Sequence, residues 1–364
     1  MSPGPQFGGH LVVQQRVLPT YRVPFFERLA ADCHRLTVLA GMPRQGEAIV
    51  SAERLDGAEW LPLTNRHLGK GGFYLLAQSE LVSRLNSLAP DAVVLEANPR
   101  YLSTWRARSW AKGMGTPVLG WGLGAEPEGQ MATWVWRRFL RGFDAMIAYS
   151  TRGAEAYRDL GVPGDRITLA INAVGAVPDS APSKKGEPSK RLRLLFVGRL
   201  QRRKRIDTLL RACSRLAEPP AVTIVGDGPE GPKLKALAAS VLPDAQFAGH
   251  LEGGRLEATF AQADLFVLPG TGGLAVQQAM AHGLPVIVGE GDGTADDLVR
   301  SANGWRVAPG DEVGLVEVLG QAGANRDRLA RMGAESYRIV AEEVNLDAMA
   351  RAFVKSVTNA AGGG

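Results

Sequence analysis

The sequence predicts an α/β protein made of two Rossmann-like domains, each built on a doubly wound parallel sheet. Short β-branched runs alternate with amphipathic stretches of about 10–15 residues, a pattern typical of right-handed βαβ units and parallel sheets. Runs such as VTIVG and LPVIVG are almost entirely apolar, as in strands that are buried on both faces. A polar, proline-rich segment divides the predicted strands into two series.

The predicted elements follow in chain order. The first series of strands covers residues 11–15, 36–40, 92–95, 117–120 and 145–149. The second series covers residues 192–197, 221–225, 265–268, 285–288 and 304–307. Helical patterns cover residues 207–216, 231–241 and 274–281.

The segment between the two series, PDSAPSKKGEPSKR at 178–191, has linker composition. We therefore expect a first domain over residues 1–178, a linker over 179–191 and a second domain over 192–345. A final helix at 346–358 can cross back onto the first domain. Ligands of such sheets bind at the carboxyl ends of the strands, so two such domains predict a cleft between them.

Composition excludes several classes of protein. No apolar run approaches the 18 or so residues of a membrane span, and the first residues, MSPGPQFGG, lack the basic and apolar regions of a signal peptide. Cys33 and Cys213 are isolated, which argues against a disulfide framework or a thiolate metal site. We expect two small buried thiols in a protein of the reducing cytoplasm.

The formal charge of +5 raises the question of an anionic partner. Ten Lys and Arg but only one acidic residue fall between Lys184 and Arg205, so this segment carries +9 and the rest of the chain −4. The positive charge is therefore local. It favours a small anionic ligand over a nucleic acid, which needs an extended basic face with stacking aromatics.

The basic segment contains the first binding motif, LLFVGRLQRRKRID. The apolar strand ends at Gly198, which allows a turn with positive φ, and a helix follows with Asp207 in its first turn. Arg199 and Lys204 can converge across this turn on an anion, and a guanidinium fork with an ammonium suits a diphosphate. A solvated basic loop is the alternative.

Two further turns lie between strands and helices. The turn of VTIVGDGP contains Gly226, and its glycines are explained equally by a ligand or by the turn itself. In ADLFVLPGTGGLAVQQAMAHGLPVIV a strand stops at Pro269, and the glycine turn 270–273 precedes a helix from Leu274. Unpaired N–H groups at such a helix start form an anion site.

These motifs together resemble the donor-binding half of family 4 glycosyltransferases, which have the GT-B fold. The resemblance is close over residues 192–309, whereas the first half resembles the family only in layout. It implies that Arg199 and Lys204 hold the diphosphate of a nucleotide-sugar donor, with N–H groups from Gly273 and Leu274. It also implies nucleoside and sugar contacts from Gly226, His250, Leu251, Gly270, Thr271, Gly272 and Gln278.

The sequence departs from the family at two glutamates that normally flank the glycine turn. The positions that correspond to them hold Gly270 and Gln278. An amide oxygen at Gln278 still accepts hydrogen bonds from ribose hydroxyls, more weakly than a carboxylate, whereas Gly270 has no side chain to contact the donor sugar.

The first domain supplies candidates for the acceptor side. Arg16, Tyr21 and Arg22 follow the first strand, in a segment like one that faces the cleft in some relatives; helix capping by Tyr21 and Arg22 is the alternative. The candidates for a catalytic base are Glu96 and Glu126, which lie near predicted strand ends. Trp121 stands where many relatives have a histidine, and is an acceptor-side candidate.

The resemblance also implies the chemistry. Sugar transfer with retention needs no protein nucleophile, because the leaving diphosphate can help to deprotonate the acceptor hydroxyl, while the cations stabilise that leaving group. We expect the nucleotide sugar as co-substrate and no metal. The acidic segment EGDGTADD, with Asp292, Asp296 and Asp297, is a weak alternative cation site that a loop and a helix start explain better.

The stretch 134–143, WVWRRFLRGF, has the composition of an interfacial amphipathic helix, which would hold the enzyme at a membrane surface near a lipid-linked acceptor. A packed domain helix with a solvated basic face is the alternative. Three alternatives to a glycosyltransferase stay open: a GT-B-fold epimerase or phosphorylase, an inactive nucleotide-sugar-binding protein, and a nucleic-acid-binding protein.

Overall fold

The computed structural model describes residues 7–44, 47, 49–69, 74–178, 182, 190–272, 274–291 and 294–362. It divides the chain into two compact units, of which the first is Met1–Ala176 with Leu346–Gly364 and the second is Val177–Asn345. Most of the predicted linker, at 179–181 and 183–189, lies outside the described residues.

The first unit is a seven-stranded parallel sheet in the order β3-β2-β1-β6-β7-β8-β9. Its strands are β1 (Phe7–Val17), β2 (Cys33–Gly41), β3 (Glu59–Leu63), β6 (Ala92–Glu96), β7 (Val118–Gly122), β8 (Ala145–Ala148) and β9 (Ile167–Leu169). An antiparallel pair, β4 (Asn65–Leu68) and β5 (Leu75–Gln78), stands beside it. The helices are α1 (Val23–Ala30), α2 (Leu81–Leu88), α3 (Leu102–Met114), α4 (Gln130–Leu140) and α5 (Thr151–Asp159).

The second unit is a six-stranded parallel sheet in the order β12-β11-β10-β13-β14-β15. Its strands are β10 (Arg193–Val197), β11 (Ala221–Val225), β12 (Gln246–Gly249), β13 (Leu265–Leu268), β14 (Val286–Gly289) and β15 (Gly304–Val307). Its helices are α6 (Ile206–Ser214), α7 (Gly231–Val241), α8 (Gly253–Gln262), α9 (Leu274–Ala281), α10 (Thr294–Leu298), α11 (Glu312–Ala324) and α12 (Arg326–Arg338), after which a π-helical turn covers Ile339–Glu343.

The predicted fold class is confirmed, because both main sheets are parallel and doubly wound. All ten predicted strands are present within a few residues of their expected bounds. The strands that the sequence analysis missed are β3, β9, β12 and the β4–β5 pair. They are short, lie at sheet edges or outside the main sheets, and carry exposed or half-buried residues. Edge strands need no continuous apolar run, so their sequences lack the signal of a central strand.

The chain ends in α13 (Leu346–Gly362), which belongs to the first unit. Its buried stripe, including Met349, Phe353 and Val357, follows helical spacing and faces α1 and the sheet. The Phe353 ring lies 5.5 Å from that of Phe25 and 5.0 Å from that of Trp121, centroid to centroid. This aromatic cluster anchors the last helix.

The two cysteines are free and buried, as the sequence predicts. Burial raises the pKa of each thiol to about 12, so both stay protonated at neutral pH.

Candidate donor-binding site

The strand order of the second unit places its candidate site. The chain proceeds outward from β10 to β12 on one side and from β13 to β15 on the other, so β10 and β13 are neighbours from which the order diverges. Ligands of open α/β sheets bind outside the carboxyl ends of such a pair, because the two following loops part there. The loops at this point are those that begin at Gly198 and at Pro269.

The turns after β10 and β11 are held together by backbone groups. The Gly198 N–H donates to Val225 O at 3.0 Å, and the Gly226 N–H donates to Gly249 O at 2.7 Å. Gly226 has φ +123°, and a Cβ there would lie 2.1 Å from Gly198 O. The predicted positive φ at Gly198 is also found, at +154°. The turn itself therefore accounts for Gly226, through both its φ and the close approach of a neighbouring backbone.

A cavity of about 650 Å³ opens at the ends of β10, β11 and β12. Four of the predicted site residues line it, namely Arg199, Gly226, His250 and Leu251. The Arg199 side chain is exposed, and the His250 Nε2 lies 2.9 Å from Glu252 Oε1. The volume is in the range of small-molecule sites, and one arginine, two leucines and two acidic residues are among the residues that line the same space.

The ammonium of Lys204 lies at the glycine turn after β13, the second of the two predicted anion sites. This ammonium donates to Thr271 O at 2.8 Å, and the Thr271 N–H donates to Arg203 O at 3.1 Å. A 3-10 turn at Arg202–Lys204 and a left-handed residue, Arg205 with φ +54°, lead the chain into α6. The structure thus joins the loop after β10 to the glycine turn after β13 through Lys204. Convergence of Arg199 and Lys204 on one anion remains a prediction.

Gly270 is explained by packing of the backbone. The residue is buried, and a Cβ at this position would lie 2.1 Å from Arg203 O and 2.6 Å from the Lys204 carbonyl carbon. Any side chain, including the glutamate that the family resemblance leads us to expect here, would have to displace this backbone. Gly272 has φ +120°, and a Cβ there would lie 2.3 Å from Lys204 Nζ. The glycines therefore let the loop that carries Lys204 seat against the turn.

The remaining donor-side residues lie at or next to α9. Leu274 begins the helix, as predicted, and Gln278 is exposed on it, whereas the neighbouring Gln277 is buried. Gly273, which was expected to supply an N–H group, lies outside the described residues. Gln278 is therefore the one of the two adjacent glutamines whose amide is accessible to a ligand.

In the first unit, Glu96 lies at the carboxyl end of β6, next to the end of β1. Its carboxylate accepts the backbone N–H of Arg16 at 2.6 Å and lies 3.4 Å from the Tyr101 hydroxyl. Burial raises the pKa of Glu96 above its ordinary value, although these donors act in the opposite direction. The Arg16 side chain pairs with Glu47 at 2.8 Å. Arg16 and Glu96, predicted separately, are thus neighbours.

Two acceptor-side predictions are affected by burial. Trp121 is fully buried between Phe25, Phe26, Tyr149 and Phe353, so its predicted acceptor contact is wrong. The local sequence does not indicate whether an aromatic side chain near a strand end points to solvent or to the core. Here the packing of helices α1 and α13 decides the direction.

Arg22 is also buried, whereas Tyr21 is 45% exposed. The Arg22 guanidinium lies 5.0 Å from the ring centroids of both Trp121 and Tyr149, and donates to Asn172 Oδ1 at 2.8 Å. Arg22 is the N-cap residue of α1 but makes no side-chain capping bond. It therefore packs on aromatic rings. Nothing in the sequence between Arg22 and Asn172 signals this pairing, because the two are 150 residues apart.

The other carboxylates are tied to arginines. Glu126 is exposed and forms a bidentate pair with Arg152, at 2.7 and 2.9 Å. Hydrogen bonds from Arg152 lower the pKa of Glu126, which makes it a weaker base. Asp296 pairs with Arg306, while Asp292 lies outside the described residues. Within the described ranges no group of three or more His, Cys, Asp or Glu side chains is arranged to hold a metal ion.

Helix α4 has features of both interpretations of the segment 134–143, the interfacial helix and the packed domain helix. Phe139, Leu140 and Phe143 are buried in the core of the first unit, whereas Met131 and Trp134 are 74% and 60% exposed. The helix begins four residues earlier than predicted and ends at Leu140. In the part of the chain that the structure describes, none of the helices is both long and apolar enough to cross a membrane.

Comparison with known families matches both halves of the chain. Residues 20–173 match the family described as "Glycosyl transferase 4-like domain", and residues 179–339 match "Glycosyl transferases group 1". A GDP-mannose-dependent alpha-mannosyltransferase of Mycolicibacterium smegmatis is 35% identical over 173 residues, which are 45% of this chain and 44% of that protein. A protein of the same description from Mycobacterium tuberculosis is 33% identical over 317 residues, 79% of each chain. The chain thus spans less than half the length of the first relative.

Solved structures share the fold. A glycosyltransferase from Rickettsia africae aligns with a TM-score of 0.72 at 14% identity, over 97% of this chain and 98% of that one. Anabaena Alr3699/HepE in complex with UDP aligns with a TM-score of 0.71 at 15% identity, over 96% and 99%. At these identities the likeness establishes the GT-B fold alone.

Proposed function

Because the chain belongs to family 4 of the GT-B-fold glycosyltransferases, we propose that it transfers a sugar from a nucleotide-diphosphate sugar to an acceptor hydroxyl. The observation that carries the proposal is the arrangement of the second unit. A cavity with Arg199 on its wall lies at the ends of β10 to β12, and Lys204 is seated on the glycine turn after β13.

In this proposal Arg199 and Lys204 bind the donor diphosphate. Two cations and the start of α9 offset the charge that develops on the leaving group, which is the main electrostatic requirement of the reaction. Gly226, His250 and Leu251 would lie along the nucleoside, and the amide of Gln278 would accept from its ribose. The relatives named above depend on GDP-mannose, so GDP-mannose is the first donor to test.

Sugar transfer with retention fits this site without a protein nucleophile, because the departing phosphate oxygen can accept the proton of the acceptor hydroxyl. The chain's own cations take the place that a metal ion has in other transferases, and we propose no metal or other cofactor. Of the two carboxylates, Glu96 is the better candidate for a base. Burial raises its pKa toward the working range of a general base, whereas Arg152 already holds Glu126.

A second candidate function is that of a nucleotide-sugar-binding protein with little or no turnover. The observation in its favour is Gly270, which leaves the donor sugar without a carboxylate and which packing prevents from carrying one. The epimerase and phosphorylase alternatives keep the same donor site. They differ from a transferase in needing no hydroxyl acceptor or in consuming phosphate.

We propose that the enzyme works in the cytoplasm and touches the inner face of the membrane through α4, close to a lipid-linked acceptor. The support is the exposure of Met131 and Trp134 on the same helix as Arg137 and Arg138. Apolar side chains flanked by cations are typical of helices that lie in a membrane interface.

The experiment is a thermal-shift panel with UDP, GDP, ADP, CDP and TDP, followed by donor turnover with the matching sugars. At least one diphosphate should raise the melting temperature, because a ligand that binds only the native state stabilises it. The double variant Arg199→Ala, Lys204→Ala should abolish this shift. The control Arg202→Ala removes an exposed cation from the same loop and should keep it.

A shift that survives in the double variant would refute the assignment of the diphosphate site. Hydrolysis or transfer of the donor sugar would exclude the inactive binding protein. Binding without any turnover, with all acceptors offered, would favour that alternative instead.

A further inference from the structure

A basic cavity lies on the first unit between α3 and the end of α4. It has a volume of about 570 Å³. The two helices end shortly before β7 and β8 begin, so the cavity lies toward the amino ends of these strands. Glu96 lies at the carboxyl end of its strand, at the opposite edge of the sheet. The cavity is therefore separate from the candidate site residues of this unit.

The wall of this cavity is strongly positive. None of the described residues that line it is acidic, and five carry a positive charge: Arg106, Arg108, Lys112, Arg138 and Arg141. Four of these side chains are exposed and keep part of their hydration, whereas Arg108 is only 8% exposed. Concentrated charge of one sign around a concave surface attracts a counter-ion.

The environment of Arg108 combines burial, aromatic contacts and N–H groups that no described residue satisfies. Its guanidinium carbon lies 4.8 Å from the Trp105 ring centroid, 4.9 Å from that of Phe139 and 5.2 Å from that of Phe143. Nε and Nη1 are buried, and within the described residues neither has a hydrogen-bond acceptor. Cation–π contacts stabilise the charge but leave these N–H groups unsatisfied, which costs free energy in a buried position.

Two further features fit this interpretation. A Cβ on Gly142 would lie 2.4 Å from the guanidinium carbon, so glycine is the residue that lets Arg108 lie against this backbone. Burial, together with repulsion from Arg138, lowers the pKa of Arg108 to about 10. A bound anion would relieve both the desolvation and the repulsion.

We propose that this cavity binds a phosphate group, as a monoester or diester, with Arg108 at its base and Arg138 and Arg141 at its mouth. Phosphate matches the wall because its oxygens accept several hydrogen bonds at once, and guanidinium groups bind it in a bidentate manner. The group comes from a soluble phosphorylated molecule or from the headgroup of an anionic lipid. This site stands independently of the proposed glycosyl transfer.

The first experiment is a calorimetric titration of inorganic phosphate in the full chain. It uses the Arg199→Ala, Lys204→Ala background, so that the proposed donor site does not contribute. Arg138→Gln with Arg141→Gln should weaken phosphate binding by about tenfold or more, because two charge-assisted contacts are lost while both positions are exposed and tolerate the change. The control Arg84→Gln with Arg100→Gln removes the same charge from exposed positions outside the cavity wall and should keep the phosphate affinity within about twofold.

Arg108→Met is the second variant and should abolish binding while filling the space between the rings. If it fails to fold, the exposed double variant decides. Equal phosphate affinity in the two double variants would overturn the proposal, as would the absence of phosphate binding before these changes.

The second experiment separates the two sources of the phosphate group. Cosedimentation is measured with vesicles of phosphatidylcholine, with and without phosphatidylglycerol. Binding to phosphatidylglycerol that is lost in Arg138→Gln, Arg141→Gln but kept in Arg84→Gln, Arg100→Gln would identify a lipid headgroup. A soluble ligand would be identified by two results together. Inorganic phosphate binds in the titration, and vesicle binding is either absent or equal in the two double variants.

Discussion

The substitution Gly270→Ala tests whether packing explains the missing glutamate. The new Cβ would lie 2.1 Å from Arg203 O, 2.6 Å from the Lys204 carbonyl carbon and 2.7 Å from Lys204 Cα. All three are backbone atoms, so no side-chain rotation can relieve the overlap. The Arg203–Lys204 turn must move, and the Thr271 N–H would lose its acceptor, Arg203 O.

The magnitude follows from three contributions. Overpacking costs about 1–3 kcal/mol and the lost backbone hydrogen bond about 1 kcal/mol. Alanine also lowers the conformational entropy of the unfolded chain, which stabilises the folded state by about 0.4–1 kcal/mol. This gain applies here because φ at Gly270 is not in the left-handed region, so alanine can adopt it. The expected net loss in the free energy of unfolding is about 2 kcal/mol, which lowers the melting temperature of a unit of this size by roughly 4–8 °C.

Scanning calorimetry and urea titration measure this loss, and Gly254→Ala is the matched control. Gly254 lies in α8, and apart from its chain neighbours and the backbone of its own helix a Cβ there would have no atom within 4 Å, so alanine should be neutral or stabilising. Gly270→Glu should be at least as destabilising as Gly270→Ala and should weaken donor binding, because the turn holds Lys204. A Gly270→Ala variant as stable as the unchanged chain would refute the packing explanation.

Three other predictions concern the first unit. Because burial raises the folded-state pKa of Glu96, its contribution to stability should be greatest below the unfolded pKa of about 4.3 and should fall as pH rises through the folded pKa. Urea titrations from pH 4 to 8 should therefore show the unfolding free energy of Glu96→Gln rising relative to that of the unchanged chain. A difference that stays constant with pH would contradict this. Phe353→Ala should lower the unfolding free energy by about 3–5 kcal/mol, because the ring is fully buried against Phe25 and Trp121. In the same urea titration the control Arg351→Ala, at an exposed position of the same helix, should change the unfolding free energy by no more than about 0.5 kcal/mol. Glu126→Gln should leave the rate of sugar transfer within about twofold, since this exposed side chain is paired with Arg152, and a larger loss in steady-state kinetics would restore it as a catalytic candidate.

Much of the fold was predictable because buried parallel strands leave a local record. The strand that ends at Val225 and the helix Gly231–Val241 were predicted to the residue, since continuous apolar runs and helical spacing are properties of neighbouring residues. The weaker edge strand Ile167–Leu169 was missed, because its pairing with β8 is what makes it a strand.

The candidate donor site was predicted in residues but not in contacts. Arg199 lines the cavity and Lys204 reaches the glycine turn, positions that follow from where their strands end. Two of these contacts depend on loops that lie 67 residues apart in sequence. Lys204 donates to Thr271, and the backbone of Arg203 approaches so closely that position 270 requires glycine. No local pattern encodes that approach.

The two doubly wound sheets, the turns at their strand ends and the location of the positive charge follow from local sequence, since each depends on residues close together in the chain. The accessibility of individual side chains depends on how distant elements pack. This packing buried Trp121 and Arg22, which sequence reasoning had placed toward an acceptor, and it left Nε and Nη1 of Arg108 among aromatic rings without an acceptor in the described part of the chain. Burial and hydrogen-bond partners are set by elements that meet from distant parts of the chain, as when α13 packs over Phe25 and Trp121.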